Sequence, residues 1–260
     1  MGRKLRVLLT NDDGFSTPGI QHIYSELRDE FEVTVIAPEE EQSGIGHAFT
    51  YHKPLVVNEK RFQDSVGYSV AGTPADCVKF ALSYLMDERP DSIVSGINNG
   101  GNTGIAGFYS GTVAAARESA FWQVTGVAFS CEGEDATKYM ADYAEVSRKI
   151  LLKILNGRKS GNRRDMVYYN VNFPSCRVND CAGVKLTRQS LSFWNDIYTP
   201  VENDTGKVEY WLNGERKDVE EHNEYDTRAI NDRYITITPL HIDNTAVDAF
   251  KSSSQFDDIL

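Results

Sequence analysis

Apolar residues along the chain recur in two rhythms. Short runs of strand length include Leu5, Val7, Leu8 and Leu9, then Val33-Thr34-Val35-Ile36-Ala37-Pro38, Asp91 to Gly96, Val124 to Ser130 and Met166 to Phe173. Between them Ile20, Ile23, Tyr24 and Leu27 fall at helical spacing, as do Val78, Phe80, Ala81, Leu82 and Leu85. Met140, Tyr143, Ala144, Ile150, Leu151 and Ile154 do the same within a long helix predicted over Ala136 to Leu155 and ended by Asn156-Gly157. Local punctuation agrees: Ser16-Thr17-Pro18-Gly19 puts a hydroxyl before a first-turn Pro, and Gly72-Thr73-Pro74-Ala75-Asp76 spells a capping box. Strand, helix and strand in quick succession up to Pro38 form a right-handed βαβ unit. Pro54 to Val57 and Val66 to Val70 are predicted as two further short strands.

From about Val184 the rhythm changes. Aromatic and β-branched segments (Lys185 to Gln189, Phe193 to Tyr198, Val208 to Leu212, Tyr234 to Thr238) alternate with polar turns, which predicts β-hairpins. Met166 to Phe173 is accordingly expected to be the last strand of the main sheet. The predicted fold is α/β, a Rossmann-like three-layer sandwich with a mostly parallel sheet over residues 1–183. Residues 184–260 would add a hairpin-rich extension of the same domain, used for oligomerisation through Trp194 and Trp211. The Arg158-Lys159 and Arg163-Arg164 cluster reads as a solvated linker with no ligand, and Ser252 to Leu260 as a frayed tail.

Composition narrows the partners. The chain has 260 residues, 40% of them hydrophobic, enough for a substantial core. A net charge of -11 argues against binding a nucleic-acid polymer, but one metal ion can reverse the field locally for a small anion. Cys77, Cys131, Cys176 and Cys181 form no CxxC pair and suggest no zinc site, so free thiols in a reducing cytoplasm are expected. The start of the chain lacks the long apolar core of a signal peptide, and no run is long enough to span a bilayer. A cytoplasmic protein without membrane contact is the expectation.

The chemistry concentrates where the predicted strands end. Leu8-Leu9-Thr10 breaks into Asn11-Asp12-Asp13-Gly14, where two adjacent carboxylates either hold a divalent cation or form a plain turn. Glu39 to Thr50 leaves the same sheet edge after the second strand and brings Ser43 within reach of the aspartates, either as a plain turn residue or as a neutral oxygen ligand; His47 is either an acid-base group or an exposed loop residue. After Gly96 the chain runs through Ile97-Asn98-Asn99-Gly100-Gly101-Asn102-Thr103-Gly104, glycines alternating with amides, which suits neutral ligation of a hard cation. Ser110, Gly111 and Thr112 then open the helix Val113-Ala114-Ala115-Ala116, whose free N–H groups attract a phosphate. No GKS or GKT follows, and no GxGxxG follows the first strand, so motor-type nucleotide chemistry and a dinucleotide cofactor are both disfavoured.

Taken together, Leu9-Thr10-Asn11-Asp12-Asp13-Gly14, Ser43-Gly44-Ile45-Gly46-His47, Gly72 to Val78, Ser95-Gly96-Ile97-Asn98, Asn102 and Tyr109 to Ala115 resemble the SurE family of survival-protein nucleotidases, with Asp226, Thr238-Pro239-Leu240 and Asp243 as later matches. The resemblance implies a metal-dependent phosphatase acting on nucleoside 5′-monophosphates, also on 3′-monophosphates and in some members on short polyphosphate. It implies one Mg²⁺ or Mn²⁺ per subunit on Asp12, Asp13, Ser43 and Asn98, with Asp12 and Asp13 at the catalytic centre. Asn102, Ser110, Gly111 and Thr112 would hold the phosphoryl group, in a homodimer or homotetramer joined through exchanged C-terminal segments. Gln42 departs from the family, which often has Arg before that Ser, and bears on substrate breadth rather than on the metal. Ser190 to Asn223 matches only loosely. Two other function classes stay open on the residues alone: a non-hydrolytic nucleotide-binding or sensing module, and a Rossmann oxidoreductase.

Overall fold

In the computed structural model, which describes residues 3–133, 135–157, 166–219 and 222–251, β1 (Leu5–Thr10) runs through the middle of a nine-stranded sheet. Val7 and Leu9 enter one core cluster and Leu8 the opposite one, so both faces of β1 are covered. That is why its sequence is a continuous apolar run rather than an alternation. Each such buried Leu or Val contributes roughly 1.5–3 kcal/mol. α1 (Pro18–Leu27) returns the chain to β2 (Phe31–Pro38), which pairs parallel to β1. Thr17 precedes α1, but its hydroxyl donates to the Gly14 carbonyl at 3.0 Å instead of capping the helix.

β3 (Val57–Phe62) and β4 (Ser65–Val70) form an antiparallel edge hairpin, with β4 parallel to β2. The expected strand at Pro54 to Val57 is therefore displaced towards the C-terminus. The real strand carries exposed Glu59, Lys60 and Arg61, charges that disguise a strand in sequence and protect a sheet edge in the fold. α2 (Pro74–Phe80) starts on the predicted capping box: Asp76 N–H donates to Thr73 Oγ1 at 3.1 Å, and Thr73 N–H donates to Asp76 Oδ2 at 2.9 Å. β5 (Ser92–Asn99), α3 (Ala106–Tyr109), α4 (Gly111–Phe121) and β6 (Thr125–Cys131) follow, then α5 (Met140–Asn156) and β7 (Val167–Phe173). α1 lies against α5 on one face of the sheet, while α2 and α4 pack together on the other.

The remaining elements are β8 (Gly183–Leu186), β9 (Phe193–Glu202), β10 (Val208–Lys217), α6 (Asp226–Asn231), β11 (Tyr234–His241) and α7 (Val247–Lys251). Strand order in the main sheet is β3-β4-β2-β1-β5-β6-β7-β11-β8. β7 is thus not the last strand, as the sequence pattern suggests. β11 pairs antiparallel to it, and β8 pairs parallel to β11. Among the described residues only β9 and β10 form a separate hairpin. The misreading has a physical cause: Thr236 and Thr238 alternate with Ile235 and Ile237, which reads as one wet face, yet both threonines are buried. Thr238 is held by a hydroxyl contact with Thr187 at 2.8 Å. The basic cluster from Arg158 to Arg164 and the tail from Ser252 to Leu260 lie outside the described residues. Among the described residues no helix is long and apolar enough to cross a membrane.

Candidate active site

The sheet order reverses at β1, with β2 on one side and β5 on the other, and an α/β sheet opens its ligand crevice there. Asp12 and Asp13 leave the end of β1 into that crevice. The turn is braced from behind: Asn11 Nδ2 donates to the Gly14 carbonyl and to Thr17 Oγ1, both at 2.9 Å. Gln42 N–H donates to the Asp12 carbonyl at 2.8 Å, which lays the Ser43 loop alongside the aspartates.

Asp12 is 5% exposed, and its carboxylate is fixed by Thr112, whose N–H donates to Oδ2 at 3.0 Å while its hydroxyl donates to Oδ1. The fit is close. A Cβ on Gly111 would lie 2.9 Å from Asp12 Cβ and 3.1 Å from Pro74 Cγ, so glycine there lets α4 approach the turn. Two of the groups expected to receive phosphate are thereby committed within the protein. Thr112 serves Asp12, and Ser110 Oγ accepts from Val113 N–H at 3.1 Å as the N-cap of α4. The Gly111 N–H is the first-turn donor that neither Asp12 nor Ser110 uses.

Asp13 is half-buried and, among the described residues, receives only a long bond from Asn99 N–H, at 3.4 Å. Burial, with the neighbouring charge of Asp12, pushes its carboxyl up to about 7, and burial raises Asp12 as well. Glu41, which the sequence does not single out, adds a third negative field on both aspartates and accepts from the Ser43 hydroxyl at 2.5 Å. Among the described ion pairs none reaches Asp12 or Asp13. Asn98 spends its amide nitrogen on the Gly100 carbonyl at 2.7 Å, leaving its carbonyl oxygen as the unengaged end.

Asn102 is buried in an asparagine network. Its N–H donates to Asn172 Oδ1 at 2.7 Å, its carbonyl accepts from Asn170 at 2.8 Å, and its amide nitrogen donates to Ser130 Oγ at 2.8 Å. It holds the glycine-rich loop onto β6 and β7. The other end of that loop is clamped by Asp226, a buried carboxylate accepting from Gly104 N–H at 3.1 Å, Ser190 N–H at 2.9 Å and Thr227 N–H at 2.8 Å. The Ser43 loop has its own anchor. His47 is not exposed: it stacks on Phe121 and meets the buried Glu118 at 2.9 Å, while Lys79 and Trp122 engage the same carboxylate. Burial alone would raise Glu118, but His47, Lys79 and Trp122 outweigh it and hold the carboxyl below its usual range.

Known proteins resemble the chain over nearly its whole length. A family model described as Survival protein SurE matches residues 7–196. The chain belongs to the SurE family. It is 38% identical to the 5′-nucleotidase SurE of Natranaerobius thermophilus, over 98% of this chain and 100% of that protein. Identity to the 5′-nucleotidase SurE of Chlorobium limicola is 39%, over 94% of this chain and 93% of that one. The crystal structure of the SurE protein from Aquifex aeolicus superposes with a TM-score of 0.82 at 33% identity, covering 97% of this chain and all of that one. Of the main-sheet strands only β11 lies beyond residue 196, where the family model stops, and the structural match covers nearly the whole chain.

Proposed function

We propose that the chain is a 5′-nucleotidase that hydrolyses nucleoside monophosphates to nucleoside and phosphate with the help of a divalent cation at Asp12 and Asp13. The observation that carries the cation is the pair of adjacent, desolvated carboxylates that no described ion pair reaches, both raised in pKa by burial and Asp13 also by the charge of Asp12. Asp12, Asp13, Ser43 and Asn98 offer only oxygens to it, the donor set of Mg²⁺ or Mn²⁺. Among the described residues no group of three or more His, Cys, Asp or Glu is placed to hold a metal, so the neutral oxygens of Ser43 and Asn98 are needed to complete the set. When bound, such an ion neutralises charge on the phosphoryl oxygens.

The protein's own part is positional. Thr112 fixes the Asp12 carboxylate, and the first turn of α4 turns its N-terminal dipole and the Gly111 N–H towards an incoming anion. Asn102 and Asp226 hold the glycine-rich loop that carries Asn98. 3′-Monophosphates and short polyphosphate fit the same reading, since a cradle that grips the phosphoryl group leaves the rest of the ester to other contacts. The test is phosphate release from a panel of nucleoside 5′- and 3′-monophosphates and polyphosphate, with Mg²⁺, with Mn²⁺ and with EDTA. Turnover of 5′-monophosphates lost in EDTA and restored by either metal is expected. Binding without release would favour a sensing module, and turnover unaffected by EDTA would remove the cation from the mechanism.

Assembly belongs to the same proposal. Trp194, Tyr198, Tyr210, Trp211 and Leu212 are all exposed on β9 and β10. A two-stranded hairpin is marginal alone, and this much exposed apolar surface marks a contact. We assign that contact to a second copy of the chain, as a dimer or tetramer. Light scattering across a dilution series should show Trp211→Glu dissociating at roughly 30-fold higher concentration than the unmodified chain, the loss of one aromatic anchor. An unchanged dissociation profile would exclude the hairpin from the interface.

A further inference from the structure

Two of the four cysteines meet at a place the nucleotidase site does not use. After β7 the chain turns through Pro174 and a short helical turn at Val178–Asp180, and this brings Cys176 Sγ to 3.8 Å from Cys181 Sγ. The turn is already shaped for that approach. Cys176 N–H donates to the Pro174 carbonyl at 2.9 Å, Asp180 N–H to the Arg177 carbonyl at 2.9 Å, and Cys181 N–H to the Val178 carbonyl at 3.2 Å. Tyr143 sits beneath it, its hydroxyl 2.7 Å from the Cys176 carbonyl, 2.9 Å from the Pro174 carbonyl and 3.5 Å from Cys181 Sγ. Both thiols are half-buried, between exposed Ser175, Arg177 and Ala182, so a small oxidant reaches them. Cys77 and Cys131 are fully buried, and burial pushes the Cys131 thiol up to about 12, which leaves them inert.

We propose that Cys176 and Cys181 are an oxidisable dithiol, closing a local disulfide when the protein meets a hydroperoxide. One sulfur, as thiolate, attacks the terminal peroxide oxygen: an S–O bond forms, the O–O bond breaks, and the alcohol or water leaves with a proton. The other thiol then attacks the resulting sulfenic acid, an S–S bond forms, the S–O bond breaks, and hydroxide takes up the thiol proton and leaves as water. Two electrons pass from the two sulfurs to the peroxide. Thiol reductants reverse the step by exchange. The spacing matters because non-bonded sulfurs in contact need only a small movement of a turn that is already hydrogen-bonded in the closed shape.

The test is a peptide map of the native full-length chain after hydrogen peroxide, with alkylation before digestion. Trypsin cuts after Arg177, between the two cysteines, so a disulfide keeps the two peptides joined. The expected result is that most of the chain carries the Cys176–Cys181 linkage and that dithiothreitol abolishes it. Cys176→Ala and Cys181→Ala should each lose the linkage, leaving a sulfenic acid on the remaining cysteine that dimedone traps. The map of the unmodified chain decides the matter even if a variant folds poorly. Sulfinic acid accumulating on either cysteine without cross-linking, a linkage to Cys131, or a linkage formed only after unfolding would each overturn the proposal.

Discussion

Asp12→Asn abolishes phosphate release while leaving the fold in place. The charge on Asp12 is what a cation would bind, and its loss removes several kcal/mol of charge stabilisation, on the order of a 10³-fold fall in turnover. The fold survives because asparagine keeps the shape and both contacts. Its carbonyl oxygen still accepts from the Thr112 N–H, and its amide nitrogen donates to the Thr112 hydroxyl, which reverses its role from donor to acceptor. A buried carboxylate crowded by Asp13 and Glu41 is also relieved of its charge, so the variant should melt no lower than the unmodified chain in EDTA. Phosphate release and a melting curve on the same preparation check both halves. Activity within tenfold of the unmodified chain at saturating Mg²⁺ would be fatal to the site assignment.

Gly96→Ala is the most damaging small substitution expected in the sheet. Gly96 lies in β5 with φ at +128°, and a Cβ there would stand 2.3 Å from the Phe129 carbonyl oxygen on the neighbouring β6. Neither obstacle is a flexible side chain, so the strands themselves must part. We expect a loss of about 3 kcal/mol or more, which for a chain of this size lowers Tm by roughly 10 °C. Activity should fall too, because Gly96 precedes Asn98 by two residues. Gly44→Ala is the matched control: φ is +69°, but nothing lies within 4 Å of the added carbon, so only backbone strain of about 1 kcal/mol applies. Chemical denaturation of the two variants separates them, and equal midpoints would refute the packing account.

How much of this was legible depended on the range of the forces involved. β1, its Asp turn, the Thr73–Asp76 capping box and the Ser110 start of α4 rest on contacts within a few residues, and pattern alone placed them. Contacts made across the chain were not legible. Nothing local says that Thr112 will clasp Asp12, 100 residues away, in preference to a phosphate. Nor does it say that Glu118, in an alanine-rich helix, is buried against His47, 71 residues away. His47 reads in sequence as an acid-base group or an exposed loop residue and instead meets Glu118, while Asn102, assigned to the phosphoryl group by the resemblance, gives its amide nitrogen to Ser130. β11 was misplaced because threonine serves equally on a wet face and, when its hydroxyl is paired, on a dry one. The family resemblance supplied the expected set of metal ligands, where local physics alone left a turn or a site.

The clamp by Asp226 has a consequence for the order in which the molecule comes into being. β11 fills the place between β7 and β8, and Asp226 just before it grips Gly104. A nascent chain emerging from the ribosome can build β1 through β7 early, since those strands and their helices are contiguous in sequence. The Asn102 end of the glycine-rich loop can settle on β6 and β7 at that stage, but its Gly104 end has no clamp until Asp226, 122 residues further on, has emerged. The centre of the enzyme is thus among the first parts to be synthesised and the last to be finished.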